Sequence, residues 1–390
     1  MTMHGANPDR TRAGRRFDSA SVVTRLLLLA VLLILVSGSL CHSPNAHVEI
    51  ECITPSDSMS YNPWIACDAN GHVVLAWTRN VGGREDVWYV EKDSGGDWSQ
   101  PANLSRSGGE WGSRNVSLCY DRGGTLHAAW SQSVGIAWVI FYTRHEPNGS
   151  WAVPETIVHG LAVEPSIGVD SSGSVHLLFE DMGNGFNACY ARRDPTAGWG
   201  PVSVLRDNYR CRHAALAVRP DGRCIVVYDD KDSLRTYWLS GRGDTWTSPM
   251  LLDSVSRTRA FFAMAARGNT VYFAQNGGLN QMWIWTYRDE AGWRGPDTLC
   301  PQSHAPSMIS LAAPDDSILV VGWKQASSSK LMVARRTSRW SSPVFVAGAD
   351  STDPGWRMST VPVPGGLVHL TWAGGPADHS KIYYASVRVE

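Results

Sequence analysis

The sequence predicts an all-β fold, a seven-bladed β-propeller of four-stranded antiparallel blades, from three observations. The first is a Trp-x-x-Pro element at Trp98, Trp151, Trp246, Trp293 and Trp340, with a copy one residue shorter at Trp199; the Trp-to-Trp steps are 53, 48, 47, 47 and 47 residues. The second is a turn Gly followed six residues later by an aromatic: "GHVVLAW" from Gly71, "GTLHAAW" from Gly124, "GSVHLLF" from Gly173, "GRCIVVY" from Gly222 and "GLVHLTW" from Gly366. "GNTVYFA" from Gly268 and "DSILVVGW" from Asp316 are looser copies, making seven at a spacing of about 49 residues, the size of one propeller blade. The third is the absence of long 3.6-residue apolar periodicity after residue 46, in a chain holding 37 Gly and 21 Pro.

Each copy divides in the same order. A first strand such as "PWIACD" ends in an Asp-x-x-Gly turn, whose Asp and Gly supply the backbone conformations of a tight reversal. The Gly-to-aromatic segment is the second strand. A third follows a polar loop: "DVWYVEK", "VIFYTR", "ACYARR", "TYWLS", "WIWTYR", "LMVARR" or "IYYASV". The Trp-x-x-Pro element opens the fourth, where an edge strand tolerates a missing N–H. In the first strand, positions four, six and eight before the Gly are mostly bulky, as in Cys67, Ile65 and Pro63, whereas the alternate positions are small, as in Ala66. Sheets with one bulky and one small face stack against copies of themselves around an axis. The last copy ends after its third strand, and "HVEIECITP" (47–55) is left over before the first. A ring must close to hide its edges, so this N-terminal strand is expected to complete the last blade.

The chain therefore divides into a leader, 1–46, and one propeller domain, 47–390. Residues 1–25 hold five Arg, and Leu26–Val36 is an eleven-residue apolar run followed by Ser37-Gly38-Ser39. That pattern suits a signal peptide and is short for a bilayer span. The mature protein is expected to be secreted or held in the periplasm or cell envelope, with no membrane span once the signal is removed, and monomeric. Cys41 follows Leu40, where a lipoprotein signal needs a small residue, so lipidation is the lesser expectation. Seven cysteines remain after residue 41; the number is odd and their pairing is not deducible. None has the spacing of a zinc site, and no metal or cofactor is expected. A net charge of −1 excludes the basic footprint of a nucleic-acid-binding protein.

The blade pattern resembles that of the sialidase superfamily and its Asp-box (BNR-type) repeat propellers. The resemblance spans 47–390, but its Asp boxes are degenerate: Asp93-Ser-Gly95-Gly-Asp-Trp98 keeps the Asp, Gly and Trp, and Asp194 before Trp199 keeps only the acid. Active members carry a Phe/Tyr-Arg-Ile-Pro motif, two further arginines, a Tyr–Glu pair and an Asp acid/base. In "SYNPWIACD" and "VEPSIGVD" the Arg position is held by Tyr61 and Val163. The resemblance implies a sialidase-like fold and a glycan-related setting more than it implies the reaction.

Ligands of propellers bind at the channel mouth, where first strands begin and second strands end. Nine residues before the turn Gly stand Asn62, Asn115, Glu164, His213, Arg259 and Arg357, with His304 or Ala305 in the sixth copy. One residue earlier stand Tyr61, Arg114, Arg212 and Trp356. Arg212, Arg259 and Arg357 are placed to clamp a carboxylate, with His213, Arg114 and Tyr61 as further ligand contacts. Glu164, Glu180, Asp229 and Asp230 are the catalytic candidates, since a glycosidase needs two carboxyls about 5–10 Å apart. His127, His176 and His369 share one place in separate blades and read as a repeated structural hydrogen bond; the Trp repeat reads as blade packing. The first functional expectation is an exported, non-catalytic module that binds a glycan or protein ligand at this collar. The alternatives are a divergent sialidase-like glycoside hydrolase and a cell-envelope scaffold.

Overall fold

The computed structural model describes residues 48–388 apart from 55–58, 108–111, 148, 159, 184, 207–210, 231, 255–260, 278–280, 300–305, 315–317, 326–329, 349–356, 364–366 and 377. These residues form seven antiparallel sheets, six with their strands in sequence order from the axis outward and the seventh completed at its outer edge by the first strand of the chain. Blade 1 is built from Met59–Cys67, Val73–Val81, Arg84–Lys92 and Ala102–Asn103. The first three strands of blade 2 are Ser113–Tyr120, Leu126–Val134 and Ala137–His145; those of blade 3 are Ala162–Val169, Val175–Asp181 and Asn187–Asp194. Blade 4 begins with Cys211–Val218, blade 5 with Phe262–Arg267, blade 6 with Pro306–Ala312 and blade 7 with Met358–Val363. In blades 3 and 4 the fourth strand is split into two short pieces on the third.

Glu49–Cys52 lies outermost in blade 7, antiparallel to Lys381–Arg388, with Glu49 opposite Ser386 and Cys52 opposite Tyr383. Glu51 bonds across the seam to blade 1, accepting from Lys92 at 3.1 Å and from Trp98 Nε1 at 2.9 Å. Trp98 meets the Tyr384 ring edge-on at 5.1 Å. The same contact recurs around the ring: Trp151 on Tyr89, Trp199 on Tyr142 and Trp246 on Tyr190, at 5.5, 5.2 and 4.9 Å. Each of these indoles reaches back to the third strand of the preceding blade, so the repeated Trp belongs to blade packing.

The core lies in the seams. Ile65, Val73, Leu75 and Trp77 pack toward Ile382 and Tyr384 of blade 7, whereas Ala66, Val74 and Ala76 face Val116, Leu118 and Trp130 of blade 2. One bulky and one small side per sheet let neighbours interlock at interior density. Among the described residues, one buried cluster fills each of the seven seams. At the turns, Asp68 Oδ1 accepts the N–H groups of Asn70 and His72, and Asp170 Oδ1 those of Ser172 and Ser174. Gly71 and Gly173 sit at φ of 85° and 78°, a region costly for a residue with a Cβ.

The three histidines are structural. The hydroxyl of Tyr142 lies 2.7 Å from Nδ1 of His127, that of Tyr190 lies 2.7 Å from Nδ1 of His176, and Tyr384 pairs likewise with His369. Burial pushes all three imidazoles below the ordinary histidine range, His369 to about 4. The unfolded chain takes up protons near pH 6.5, so the stability these rings contribute is complete above that value and is lost as pH falls toward 4. Melting curves from pH 7 to 4 should show a falling midpoint, with a shallower slope in His369→Gln. An equal slope in both proteins would count against this account. The six described cysteines are free. Cys224, buried 3.1 Å from His176 Nδ1, has its thiol pushed up by desolvation, which makes it unreactive.

Candidate functional site at the channel mouth

A bulge at the start of the inner strand recurs in five blades. The register shifts between Tyr61 and Trp64, Arg114 and Ser117, Val163 and Ser166, Arg212 and Ala215, and Ser307 and Ser310. At each shift one residue is left-handed: Asn62, Asn115, Glu164, His213 and Met308, at φ of 50°, 59°, 55°, 54° and 51°. Such bulges re-aim side chains and store backbone strain of the kind found at binding sites. The place the sequence left to His304 or Ala305 therefore belongs to Met308. Arg259 and Trp356, like His304 and Ala305, lie outside the described residues, as does the side chain of Arg212.

The bulges sit at one end of a channel cavity of about 1150 Å³, lined there by Tyr61, Asn62, Arg114, Asn115, Glu164, Glu180, His213 and Arg357. Four of these are joined. Asn62 Nδ2 donates to Asn115 Oδ1 at 2.7 Å, Asn115 Nδ2 donates to Glu164 Oε1 at 2.6 Å, and Arg357 Nη2 donates to Glu164 Oε2. The chain runs through blades 1, 2 and 3 and returns to blade 7, and the Arg357 guanidinium lies 5.8 Å from the Trp64 ring centroid. Arg357 thus faces a carboxylate of its own protein. Exposed His213 continues the collar at blade 4.

At the rim, the Tyr61 hydroxyl donates to Glu85, and burial together with that carboxylate pushes the phenol up. Arg114 lies 4.0 Å from the centroid of Trp138 and Arg79 lies 4.6 Å from that of Trp88. At these distances each guanidinium makes a cation–π contact with its indole. The buried Nε of Arg114 has no hydrogen-bond partner among the described residues.

The acids separate into two groups. Glu164 and Glu180 line the cavity, whereas Asp229 and Asp230 do not. Asp229 Oδ1 accepts from Thr236 Oγ1 at 2.9 Å; Asp230 Oδ1 accepts the N–H groups of Asp232 and Ser233 at 3.0 and 2.7 Å. Both are buried, and Asp230 organises its own turn. The carboxylate pair of the mouth is Glu164 with Glu180, and it comes from one blade. Burial, then the Glu164 charge, push Glu180 up to about 7. The N–H groups of His213 and Ala214 and the charge of Arg357 act in the opposite sense. Among the described residues no group of His, Cys, Asp and Glu is arranged to hold a metal. Sequence reasoning missed Glu85, Trp88 and Trp138, which lie near the start of third strands that were marked out only as segments.

No family model matches the chain, and no curated protein matches it. Solved structures do. The BP39L lectin from Burkholderia pseudomallei is 13% identical with a TM-score of 0.65, over 85% of this chain and 96% of its own. A PL25 ulvan lyase is 13% identical with a TM-score of 0.57, over 86% and 95%. The Hadza microbial sialidase Hz136 is 13% identical with a TM-score of 0.53, over 85% and 66%. At these identities the likeness is one of fold: the chain is a propeller of the architecture these proteins share.

Proposed function

We propose that the protein is an exported propeller that binds a glycan at this mouth and performs no chemistry there. The observation that carries the reading is the contrast between the nominated acids and Arg114. Asp229 and Asp230 serve turns and a seam, Glu164 is held by Arg357 and Asn115, and Glu180 caps the backbone of blade 4. Arg114 instead lines the cavity wall, its guanidinium 4.0 Å from the centroid of the Trp138 ring. A polar collar with a cation at its wall, beside the apolar side chains of Phe186, Phe262 and Met308, suits a carbohydrate or similar polar ligand. The fold neighbours include a lectin and a polysaccharide lyase, which supports the same class. A leader of signal-peptide type supports export, and among the described residues no helix is long and apolar enough to cross a membrane.

The test is a glycan array probed with the chain lacking its leader. Arg114→Ala should weaken retention by about tenfold or more, the loss of one charge-assisted contact, with an unchanged melting temperature. Arg114→Lys should recover part of it. Equal retention by the parent and Arg114→Ala would remove Arg114 from the site.

One observation favours a second reading, a sialidase-like hydrolase: Glu85 accepts the Tyr61 hydroxyl and would serve as the base that activates a phenol nucleophile. Turnover of a reporter sialoside that is lost in Tyr61→Phe would establish it. No turnover by the parent chain would leave binding alone.

A further inference from the structure

The bulge of the inner strand carries Asn62 in blade 1, Asn115 in blade 2 and Glu164 in blade 3, all left-handed. Asn enters this conformation at low cost, because its short amide bonds to nearby backbone, and a glutamate has no such advantage. Glu164 therefore brings to blade 3 something the backbone does not ask for, a charge. Both of its oxygens are engaged: Oε1 accepts from Asn115 Nδ2 at 2.6 Å, and Oε2 accepts from Arg357 Nη2. Asn62 Nδ2 donates in turn to Asn115 Oδ1 at 2.7 Å, so a row of amides aims the carboxylate. Arg357 comes from blade 7. Blade 3 packs on blades 2 and 4, and blade 7 on blades 6 and 1. The two blades share no seam, so this ion pair is made across the mouth rather than along one wall.

We propose that Glu164 is a specificity-determining residue of the mouth: it occupies Arg357 with a carboxylate of the protein's own, so that the ligand is a neutral, hydroxyl-rich glycan and an acidic sugar is refused. The proposal rests on the reading that the mouth binds a glycan, and it names the class that enters. Of the three arginines placed by the sequence to clamp a carboxylate, Arg357 is the one whose side chain lies among the described residues, and it lines the cavity. A uronate or sialate reaching for it must displace Glu164, which leaves one carboxylate unpaired beside another. That repulsion discriminates against the acid. A hydroxyl meets no such penalty. Each carboxylate oxygen accepts more than one hydrogen bond, and Glu164 keeps 41% of its side chain exposed, so a sugar hydroxyl donates to it with the ion pair intact. Arg114, the other guanidinium among the described residues of the lining, is held on Trp138 at the rim that also carries Glu85. Glu180 adds a further carboxyl to the lining. The described guanidiniums of the mouth are thus matched by acids of the protein, which suits a ligand without charge.

Two measurements test this. The first is the glycan array, printed with neutral glycans and with their uronate- or sialate-bearing counterparts. The parent should retain the neutral set about tenfold better or more, the worth of one charged contact. Glu164→Gln, which keeps the length of the side chain and removes its charge, should narrow that ratio about fivefold or more through a gain in acidic glycans. Glu164→Ala should act in the same direction, and adding Arg357→Ala to either variant should cancel the gain. Melting temperatures show that the proteins compared are folded. A parent without the preference for neutral glycans, a Glu164→Gln protein with the parent's ratio, or a gain that survives the loss of Arg357 overturns the proposal and leaves the binding reading in place. An array blank for the parent removes that reading instead, and the second measurement then decides the proposal. In protein labelled with ¹⁵N at arginine, the Nε–H resonance absent from Arg357→Lys is followed as sodium glucuronate is added at constant ionic strength. It should move saturably in Glu164→Gln at concentrations that leave the parent's resonance still. A resonance that moves equally in both proteins, or in neither, overturns the proposal whatever the array shows.

Discussion

A chain lacking residues 48–53 is expected to lose the cooperative folding of the ring. The segment supplies the outer strand of blade 7, pairing Glu49–Cys52 with Tyr383–Ser386. Ile53 and Thr54 extend the join through the backbone of Ile382. The strand also carries Glu51, which holds Lys92, and the Lys92 ammonium lies 4.5 and 4.4 Å from the ring centroids of Trp98 and Tyr384. Deletion bares the edge of Lys381–Arg388, a template for pairing with other chains, and removes the strand by which the head of the domain hydrogen-bonds to the outer edge of its tail. The shortened chain should elute as aggregate, or melt at least about 10 °C below the full chain, several kcal/mol of lost stability for a domain of this size. A synthetic peptide of residues 47–55 added during refolding should restore part of the monodisperse fraction. A deleted chain that melts with the parent would show that blade 7 holds without its fourth strand.

The largest effect of one substitution is expected at Trp130. Its side chain is fully buried in the seam between blades 1 and 2, among Ala66, Val74, Ala76 and Val116, and it stacks on Phe141 at 5.9 Å. Its indole N–H donates to Gln132 at 3.0 Å. The facing residues are small and cannot expand into the space left behind, so Trp130→Ala should cost about 3–5 kcal/mol in denaturant unfolding, lost transfer energy plus a cavity. Ile136→Ala, at a hairpin tip that is 95% exposed, should stay within about 0.5 kcal/mol of the parent. Similar costs for the two would contradict a core placed in the seams.

Much of the fold was legible because it repeats. A Trp-x-x-Pro element reports a contact made once per blade, so its spacing counts blades, and the surplus strand at 47–55 reports the tally's one gap. The identical place of His127, His176 and His369 pointed to one structural role, and each meets a tyrosine of the adjacent strand. The site was legible only as a ring of positions. Asp229 and Asp230 resembled Glu164 and Glu180 in the chain, yet only the latter two reach the cavity. Asp230 stands one residue beyond the place of Glu180, which turns its side chain to the other face; Asp229 shares that place, but its shorter carboxylate is taken up by Thr236. The bulge of the sixth blade falls at Met308, three or four residues beyond the His304 or Ala305 that spacing offered.

The sequence by itself determined the number of blades, the order of strands within each and the faces that meet, because these depend on periodicity along the chain. Only the tertiary structure decided which polar side chains share the mouth: that Arg357 answers Glu164 from 193 residues away, that Tyr61 meets Glu85, and that Arg114 lies on Trp138. The reason is physical. Strand pairing and burial are set by local alternation, whereas charges meet across a closed ring only after bulges of one or two residues have turned them toward its axis.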